Sequence, residues 1–391
     1  MTSHILNQLT CVVVFFLLER HSDGFLHHHR HLERLSLRLL NKQTAGEKEQ
    51  QALSGKMGGL ELLAERMDSL EVLKMPQTTD SQISLVSYNC LVSWGSFGEY
   101  TPWEWRDWSG RRALLRSMIT DFDADIICVQ EMNFPTFEED FGDFMRASGY
   151  CTVVQRPSGD RFDMATATFY RTDKFSLEWE NHRSRALLLG LRNRRTGKLV
   201  VVANVHLQGG VNEEAHRISQ LKSLLKQVKK YMKTDERLSP CFDDRKNYDN
   251  SSSDGTPSSL LCPIVIAGDF NCDEKAAPHR FLRGEGEFSL KKGHGMGKQG
   301  FKNAYDISRS QEELSTFWAH GDFCCIDFIY YQGLQVITLL DNLPGNRRDI
   351  LLQTSLPNHF NPSDHLPIGC VFDEPAMDHH RHGSAVNGSD R

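Results

Sequence analysis

From Ile83 to Phe372 short apolar runs alternate with polar turns, and several runs stop on residues that can do chemistry. The runs are ISLVSYN (83–89), DIICVQE (125–131), MATATFYR (164–171), RALLLGLR (185–192), KLVVVANVHL (198–207), PIVIAGDFN (263–271), IDFIYY (326–331) and LPIGCVF (366–372). Their length and β-branched content suit strands rather than helices. Two longer stretches carry helical spacing: Arg111 to Phe122, with Leu114, Leu115, Met118, Ile119 and Phe122 on one face, and Glu213 to Lys233, with Ile218, Leu221, Leu225, Val228 and Met232. Strands and helices in this order predict a layered α/β domain.

Six segments place reactive residues at or beside a strand end: Asn89, Glu131, His206, Asp269 with Asn271, Asp327, and Asp364 with His365. Strands ending at one rim of such a domain can aim side chains into a common cleft. Singly, most of these residues have plain explanations. Asn89 and Asn271 suit turns, Asp364 a capped turn, and His206 a satisfied core imidazole. Glu131 and Asp327 fit that reading less well, because a carboxylate beside apolar runs is costly unless paired or bound to metal.

Together the set points to hydrolysis of a phosphate ester with a hard divalent cation. Mg²⁺ takes oxygen ligands and commonly only one or two carboxylates. Glu131, with Asn89 near it, suits that role, and Asp364 suits a second metal position. Asp269 is expected to orient or deprotonate the attacking water, and Asn271 to hold that water or the phosphate. His206 and His365 can neutralise charge developing on phosphate oxygens, with Asp327 fixing the tautomer of His365. Side-chain alternation predicts that Asp269 and Asn271 share one face while Phe270 packs on the other. Gly268 is read as room for close backbone approach.

The blocks SYN, VQE, NVHL, GDFN, ID and SDH follow the order of the endonuclease/exonuclease/phosphatase superfamily, the DNase I-like fold, which residues 83–372 resemble. Within it, WEWRDWSGRRALL, ADIICVQEM and SLPNHFNPSDHLPIGCVF are most similar to the carbon-catabolite-repression deadenylase group, with nocturnin and the Angel proteins. The resemblance implies a four-layer α/β sandwich, two packed mixed β-sheets flanked by helices. It also implies dependence on Mg²⁺, as one or two ions with Mn²⁺ able to substitute, and release of nucleotides from an RNA 3′ end. Two blocks depart from the group's pattern. NVHLQGG replaces its Thr-His-Leu, and HGDFCCID is one residue short before Asp327. Phe323 is either a base-stacking residue or a core phenylalanine.

Two other activities would use the same cleft: a phosphatase acting on a small phosphorylated nucleotide, and a sphingomyelinase-like phosphodiesterase. A polymer needs a basic track, and Lys222, Lys226, Lys229, Lys230 and Lys233 form either that or a solvated helix face. A non-catalytic scaffold is disfavoured because every expected metal, nucleophile and dyad position holds a competent residue.

The 391-residue chain has 39% apolar and 25% charged residues, which suits a globular protein, and its net charge of -6 argues against loose, non-specific nucleic-acid coating. Its ten cysteines show no disulfide framework. Cys90, Cys128 and Cys370 sit in or beside strand runs, so free thiols in a reducing compartment are expected. Residues 1–80 are read as a leader with one amphipathic helix through Leu60, Leu63, Met67, Leu70 and Leu73. Its LTCVVVFFLL stretch is too short to span a bilayer and resembles a signal-peptide h-region, but no Lys or Arg precedes it and no clear cleavage site follows. The basic HHHRHLERLSLRLLNK after it is either an organelle-targeting segment or a plain tail, and a cytoplasmic or mitochondrial location is expected over secretion. The catalytic domain is placed at 81–373, with a polar insertion at 234–262 and a tail at 374–391. No leucine-rich repeat of the complex-recruiting kind is seen in the sequence. Membrane contact by the catalytic domain is not expected, and the sequence leaves the oligomeric state open.

Overall fold

A computed structural model describes residues 73–91, 108–156, 163–234, 263–286, 300–308, 314–319, 322–343, 356–358 and 361–374. The helix expected through Leu60, Leu63, Met67, Leu70 and Leu73 lies outside these residues except at Leu73, which is buried and not helical. The 234–262 insertion beyond Thr234 and the tail beyond Glu374 also lie outside them.

In chain order the strands begin with β1 (Gln82–Asn89), β2 (Ile126–Asn133), β3 (Tyr150–Val154) and β4 (Met164–Arg171). Next come β5 (Phe175–Arg183), β6 (Ala186–Asn193), β7 (Leu199–His206) and β8 (Ile264–Asp269). The rest are β9 (Lys302–Asn303), β10 (Phe317–Ala319), β11 (Asp322–Cys324), β12 (Asp327–Gln332), β13 (Gln335–Leu339) and β14 (Ile368–Asp373). The helices are α1 (Trp108–Asp121), α2 (Asp143–Ala147), α3 (Glu214–Thr234) and α4 (Ala277–Arg283). Two six-stranded sheets form, in the orders β13-β14-β1-β2-β4-β3 and β5-β6-β7-β8-β12-β9. Both are mixed: β1 and β2 are parallel, as are β7 and β8, and the other pairs are antiparallel. This is the four-layer α/β arrangement expected from sequence.

Three apolar clusters fill the spaces between layers, and residue parity decides which one a side chain joins. Ile83, Leu85, Ile126, Cys128, Val200, Val202, Val265, Ala267 and Ile329 pack between the two sheets. Their neighbours Val86, Ile127 and Val129 turn outward onto Leu115, Ile119 and Phe122 of the α1 layer. On the second sheet Val201, Ala203, Ile264, Ile266, Phe328 and Tyr330 meet Leu221, Leu224, Val228 and Met232 of α3 and Phe281 and Leu282 of α4. Strands buried on both faces give the near-continuous hydrophobic runs seen in the sequence. Burying each such side chain contributes on the order of 1.5–3 kcal/mol.

Gly268 is required by the parallel β7–β8 pair. It sits at φ 146°, and a Cβ there would lie 1.9 Å from the Val205 carbonyl oxygen. All seven cysteines among the described residues are free, with Cys90, Cys128, Cys272 and Cys370 buried. Among the described residues no helix is long and apolar enough to cross a membrane.

Candidate active site

The parity that sorts the core also builds the site. Asn89 on β1, His206 on β7, Asp269 on β8 and Asp327 on β12 continue the series of side chains that face the gap between the sheets. Register then aligns three of them, because His206 pairs with Asp269 across parallel strands and Asp327 pairs with Asp269 across antiparallel ones. The apolar gap therefore ends in an acidic and imidazole rim.

Glu131 has the wrong parity for that rim. Gln130 already continues the gap-facing series Ile126, Cys128, so Glu131 in a regular strand would point to the helix layer. A β-bulge corrects this: Val129 pairs with Ala167 and Met132 with Ala165, leaving Gln130 and Glu131 opposite Thr166. Glu131 takes the left-handed backbone conformation, φ 58°, and its carboxylate meets the Asn89 amide. Of four non-glycine residues with positive φ among the described residues, Leu91, Glu131 and Asn271 all belong to the site. Strain of order 1–3 kcal/mol per residue is concentrated where the side chains must converge.

The Asn89 side-chain nitrogen donates to Glu131 Oε1 and to Asp269 Oδ2, both at 3.1 Å. Its oxygen accepts from the Leu91 N–H at 3.1 Å. Asn89 therefore presents a donor that bridges two carboxylates, with its oxygen turned to the Leu91 N–H. The reason is local: the turn after β1 needs that oxygen to satisfy a backbone N–H.

Asp269 is the hub. His206 Nε2 and His365 Nε2 lie 3.7 and 3.8 Å from its Oδ2, and its Oδ1 accepts from the Asn271 N–H at 2.7 Å. Burial raises its pKa and the charge of Asp327 adds to this, while His365, His206 and the Asn271 N–H oppose the rise. A carboxyl held above its usual range is better suited to accept a proton near neutral pH.

Asn271 differs from expectation in how it is placed. β8 ends at Asp269, and Asn271 lies beyond it in a left-handed turn, φ 54°, so strand alternation does not set its direction. Its side-chain amide donates to the Leu207 carbonyl at 3.0 Å. The turn-capping and site readings thus coincide in one residue. Phe270 is fully buried among Phe328, Tyr330 and His279, on the face opposite Asp269.

His365 Nδ1 lies 2.8 Å from Asp327 Oδ2. Burial alone would lower the imidazole's pKa. The charge and hydrogen bond of Asp327, joined by Asp364 and Asp269, outweigh this and raise it to about 10. The ring also packs 4.7 Å from the Phe317 ring. Asp364 Oδ1 stands 4.0 Å from His365 Nε2. Its pKa is raised by burial, with the Glu131 charge adding to it and His365 opposing.

Sequence reasoning missed the residues that hold these groups still. Thr316 Oγ1 accepts from the N–H groups of Ile326 and Asp327 at 3.0 and 3.1 Å. Ser363 Oγ donates to the Asn89 carbonyl at 2.6 Å and accepts from the His365 N–H at 3.1 Å. Asn361 donates to the His365 carbonyl at 2.7 Å and accepts from the Tyr88 hydroxyl at 3.3 Å. The buried Arg111 guanidinium donates to the carbonyls of Cys90 and Pro362 at 3.0 and 3.2 Å, tying the loop after β1 to the loop before β14. Burial lowers its pKa to about 10.

Asn204 joins the sheets beneath the bulge. Its amide donates to Val129 and Ala167 carbonyls at 3.1 and 2.8 Å, and its oxygen accepts from Gln130 at 2.8 Å. The available signal was parity, since Asn204 is two residues before His206 on the same face. Phe323 lies on β11 opposite Trp318; its expected stacking role concerns a side chain outside the described residues.

The donor set fits a hard cation. Among the described residues, Glu131, His206 and Asp269 form one group with ligand atoms within 4.8 Å of one another, and Asp269, Asp327 and His365 form a second. Three of those five side chains offer carboxylate oxygens, and Asp364 adds a carboxylate nearby. Asp364 falls outside both groups.

A family model described as the endonuclease/exonuclease/phosphatase family matches residues 86–365. The chain is 24% identical over 357 residues to the CCR4-Not complex 3′-5′-exoribonuclease subunit Ccr4 of Candida albicans, covering 79% of this chain and 43% of that protein. It is 25% identical over 363 residues to the Schizosaccharomyces pombe subunit of the same description, covering 76% and 50%. The chain therefore spans half or less of the length of these relatives. The structure of ANGEL2, described as a 2′,3′-cyclic phosphatase, superposes with a TM-score of 0.58 at 20% identity, covering 74% of this chain and 95% of that one. The human Nocturnin catalytic domain, solved with a bound sulfate anion, superposes with a TM-score of 0.53 at 19% identity, covering 75% and 93%. With the rim geometry and the family match in agreement, the chain belongs to the endonuclease/exonuclease/phosphatase family.

Proposed function

We propose that the chain is a Mg²⁺-dependent 3′-5′ exoribonuclease that releases nucleotides from RNA 3′ ends. The observation that carries this reading is the Asp269 carboxylate, flanked at 3.7 and 3.8 Å by two imidazoles and backed by the His365–Asp327 pair. Asp269 accepts a proton from water as the water attacks the terminal phosphorus, and the bond to the 3′ oxygen of the preceding nucleotide breaks, that oxygen keeping the bonding pair and taking a proton from solvent. Protonated His365, held in place by Asp327, and His206 at the more open side of the cleft stabilise charge on the phosphate oxygens. Asn271 fixes the turn that follows Asp269 and donates its N–H to the Asp269 carboxylate.

Glu131, with Asp364 close by, would hold the Mg²⁺, which supplies Lewis-acid stabilisation of the phosphate when bound. Asn89 keeps Glu131 and Asp269 together as a shared donor. The Ccr4 relatives, described as 3′-5′-exoribonuclease subunits, support RNA as the substrate class.

The test is a substrate panel with the full chain and Mg²⁺. It contains A-tailed RNA, RNA with no A tail, RNA ending in a 2′,3′-cyclic phosphate, a phosphorylated dinucleotide, and sphingomyelin vesicles. Stepwise shortening of RNA from its 3′ end is expected. Turnover of only the dinucleotide or the cyclic phosphate would replace the exonuclease with a phosphatase. Equal degradation of both RNA tails would remove adenine preference while keeping the nuclease.

A further inference from the structure

The cleft chemistry leaves one strongly charged surface unexplained, the outer face of α3. Lys222, Lys226, Lys230 and Lys233 are all exposed, and their spacing of four, four and three residues puts them in a single row. At 1.5 Å per residue the row is about 16 Å long. The opposite face, with Leu221, Leu224, Val228 and Met232, is buried on the second sheet.

Within α3 the only acidic residue is Glu214, at its first position. An ordinary solvated helix face intersperses both signs and gains from Glu–Lys pairs. Here the nearby ion pairs are made by other residues, Arg283 with Glu274 and Glu285, and Arg156 with Glu180. Among the described residues none involves the four lysines. A concentrated positive row on a chain of net charge -6 is a local departure from the whole.

The row is joined to the active-site rim by further positive charge. The His206 N–H donates to the Arg185 carbonyl at 3.1 Å, and the Arg185 guanidinium donates to Gln208 Oε1 at 3.0 Å. Arg183, at the end of β5, donates to Ser223 Oγ at 2.6 Å. Ser223 adjoins Lys222 and lies one turn before Lys226. Basic residues therefore stand both beside His206, at Arg185, and against α3, at Arg183.

We propose that this row is a docking track for the single-stranded RNA upstream of the 3′ end held in the cleft. The inference rests on the exoribonuclease reading and extends it: a polymer would engage the track and a small nucleotide would not reach it. RNA is favoured over an anionic membrane because membrane-surface helices carry an apolar face beside the basic one. Here Ser219, Ser223 and Gln227 on one side of the row are polar, and Ile218 and Leu225 on the other side pack against the core and leave no free apolar face.

The test compares the full chain with a variant carrying Lys222→Ala, Lys226→Ala, Lys230→Ala and Lys233→Ala, and with the matching four Lys→Arg changes. Binding of a labelled RNA of about 20 nucleotides is measured across salt concentrations, beside hydrolysis of a phosphorylated dinucleotide. Removing four phosphate contacts should make the slope of log affinity against log salt shallower by about 3. KM for the long RNA should rise at least ~10-fold, dinucleotide turnover should be unchanged, and the Arg variant should behave as wild type.

An unchanged slope and KM in the Ala variant would overturn the track while leaving the nuclease intact. An equal loss on the dinucleotide would overturn it as well, since the effect would then not depend on polymer length. Loss of binding to phosphatidylserine vesicles with RNA binding retained would reassign the row to a membrane. If the wild type cleaves no RNA, the functional reading fails, and the slope comparison still decides the track.

Discussion

β8 and β12 each carry a buried histidine against them, one on either face, and the two are in opposite electrostatic states. On the helix side His279 of α4 packs among the rings of Phe270, Phe328 and Tyr330. Its Nδ1 lies 3.0 Å from the Tyr330 hydroxyl, and its Nε2 lies 3.3 Å from Cys272 Sγ. Burial among neutral groups lowers its pKa to about 4. On the gap side His365 is just as enclosed, yet carboxylates raise it to about 10. One residue of strand parity separates the two environments, since Phe328 faces one histidine and Asp327 the other. Burial alone disfavours the charged imidazole; burial against an acidic rim favours it.

Substitutions can break this contrast. The largest effect is expected on the gap side from Asp269→Asn, which keeps the shape and removes the proton acceptor. Hydrolysis should fall about 10³-fold in single-turnover kinetics, with a thermal midpoint no lower than wild type because a buried charge has gone. Asp327→Asn should lower turnover about 10²-fold. It should also shift the His365 imidazole resonance titration down from about 10, the cited value, because the paired charge that raises it is lost.

A smaller effect is expected below the rim. Asn204→Leu leaves the Val129 and Ala167 carbonyls without their cross-sheet donor, costing about 2 kcal/mol in denaturant unfolding. It should also weaken activity through the Glu131 bulge.

On the helix side the expectation is a change in pH dependence. The folded-state pKa of His279 is depressed to about 4, so the unfolded chain takes up a proton that the native chain refuses. No stability is lost above the ordinary value near 6.5. As pH falls from there towards 4, roughly 3 kcal/mol is lost. His279→Gln should flatten that acid limb in unfolding titrations and leave hydrolysis at neutral pH within about twofold. For His365 the sign reverses: its folded value is raised, so its contribution is full below about 6.5 and lost as pH rises through about 10.

The same contrast explains what the sequence made legible. All eight predicted runs are strands, and all lie inside the two six-stranded sheets, where burial on both faces writes a continuous apolar signature. Of the six missed strands, β3, β5, β9 and β13 occupy the four edges of the six-stranded sheets, and β10 and β11 form a separate two-stranded sheet. Edge strands alternate polar and apolar residues or carry charges, as FSLEWENHR does, and so blend with loops. In the site, residues that act through a charged or imidazole side chain stood out against apolar runs. Thr316, Ser363 and Asn361 did not, because they act through hydrogen bonds to backbone groups and, for Asn361, to the distant Tyr88 hydroxyl. Nor did the Glu131 bulge, which is visible only in the register with β4. His279 gave no signal either, since AAPHRFLR reads as an ordinary short helix.

The central claim is that Glu131 on one sheet and Asp269 on the other form a single cation-dependent hydrolytic centre. The most direct measurement is the Mg²⁺ dependence of 3′-labelled RNA hydrolysis by the wild type and by Glu131→Gln. Chelator should abolish wild-type turnover, and the variant should need about 10- to 100-fold more Mg²⁺ for its residual activity. Full turnover with chelator present, or an unchanged Mg²⁺ requirement in the variant, would contradict the account.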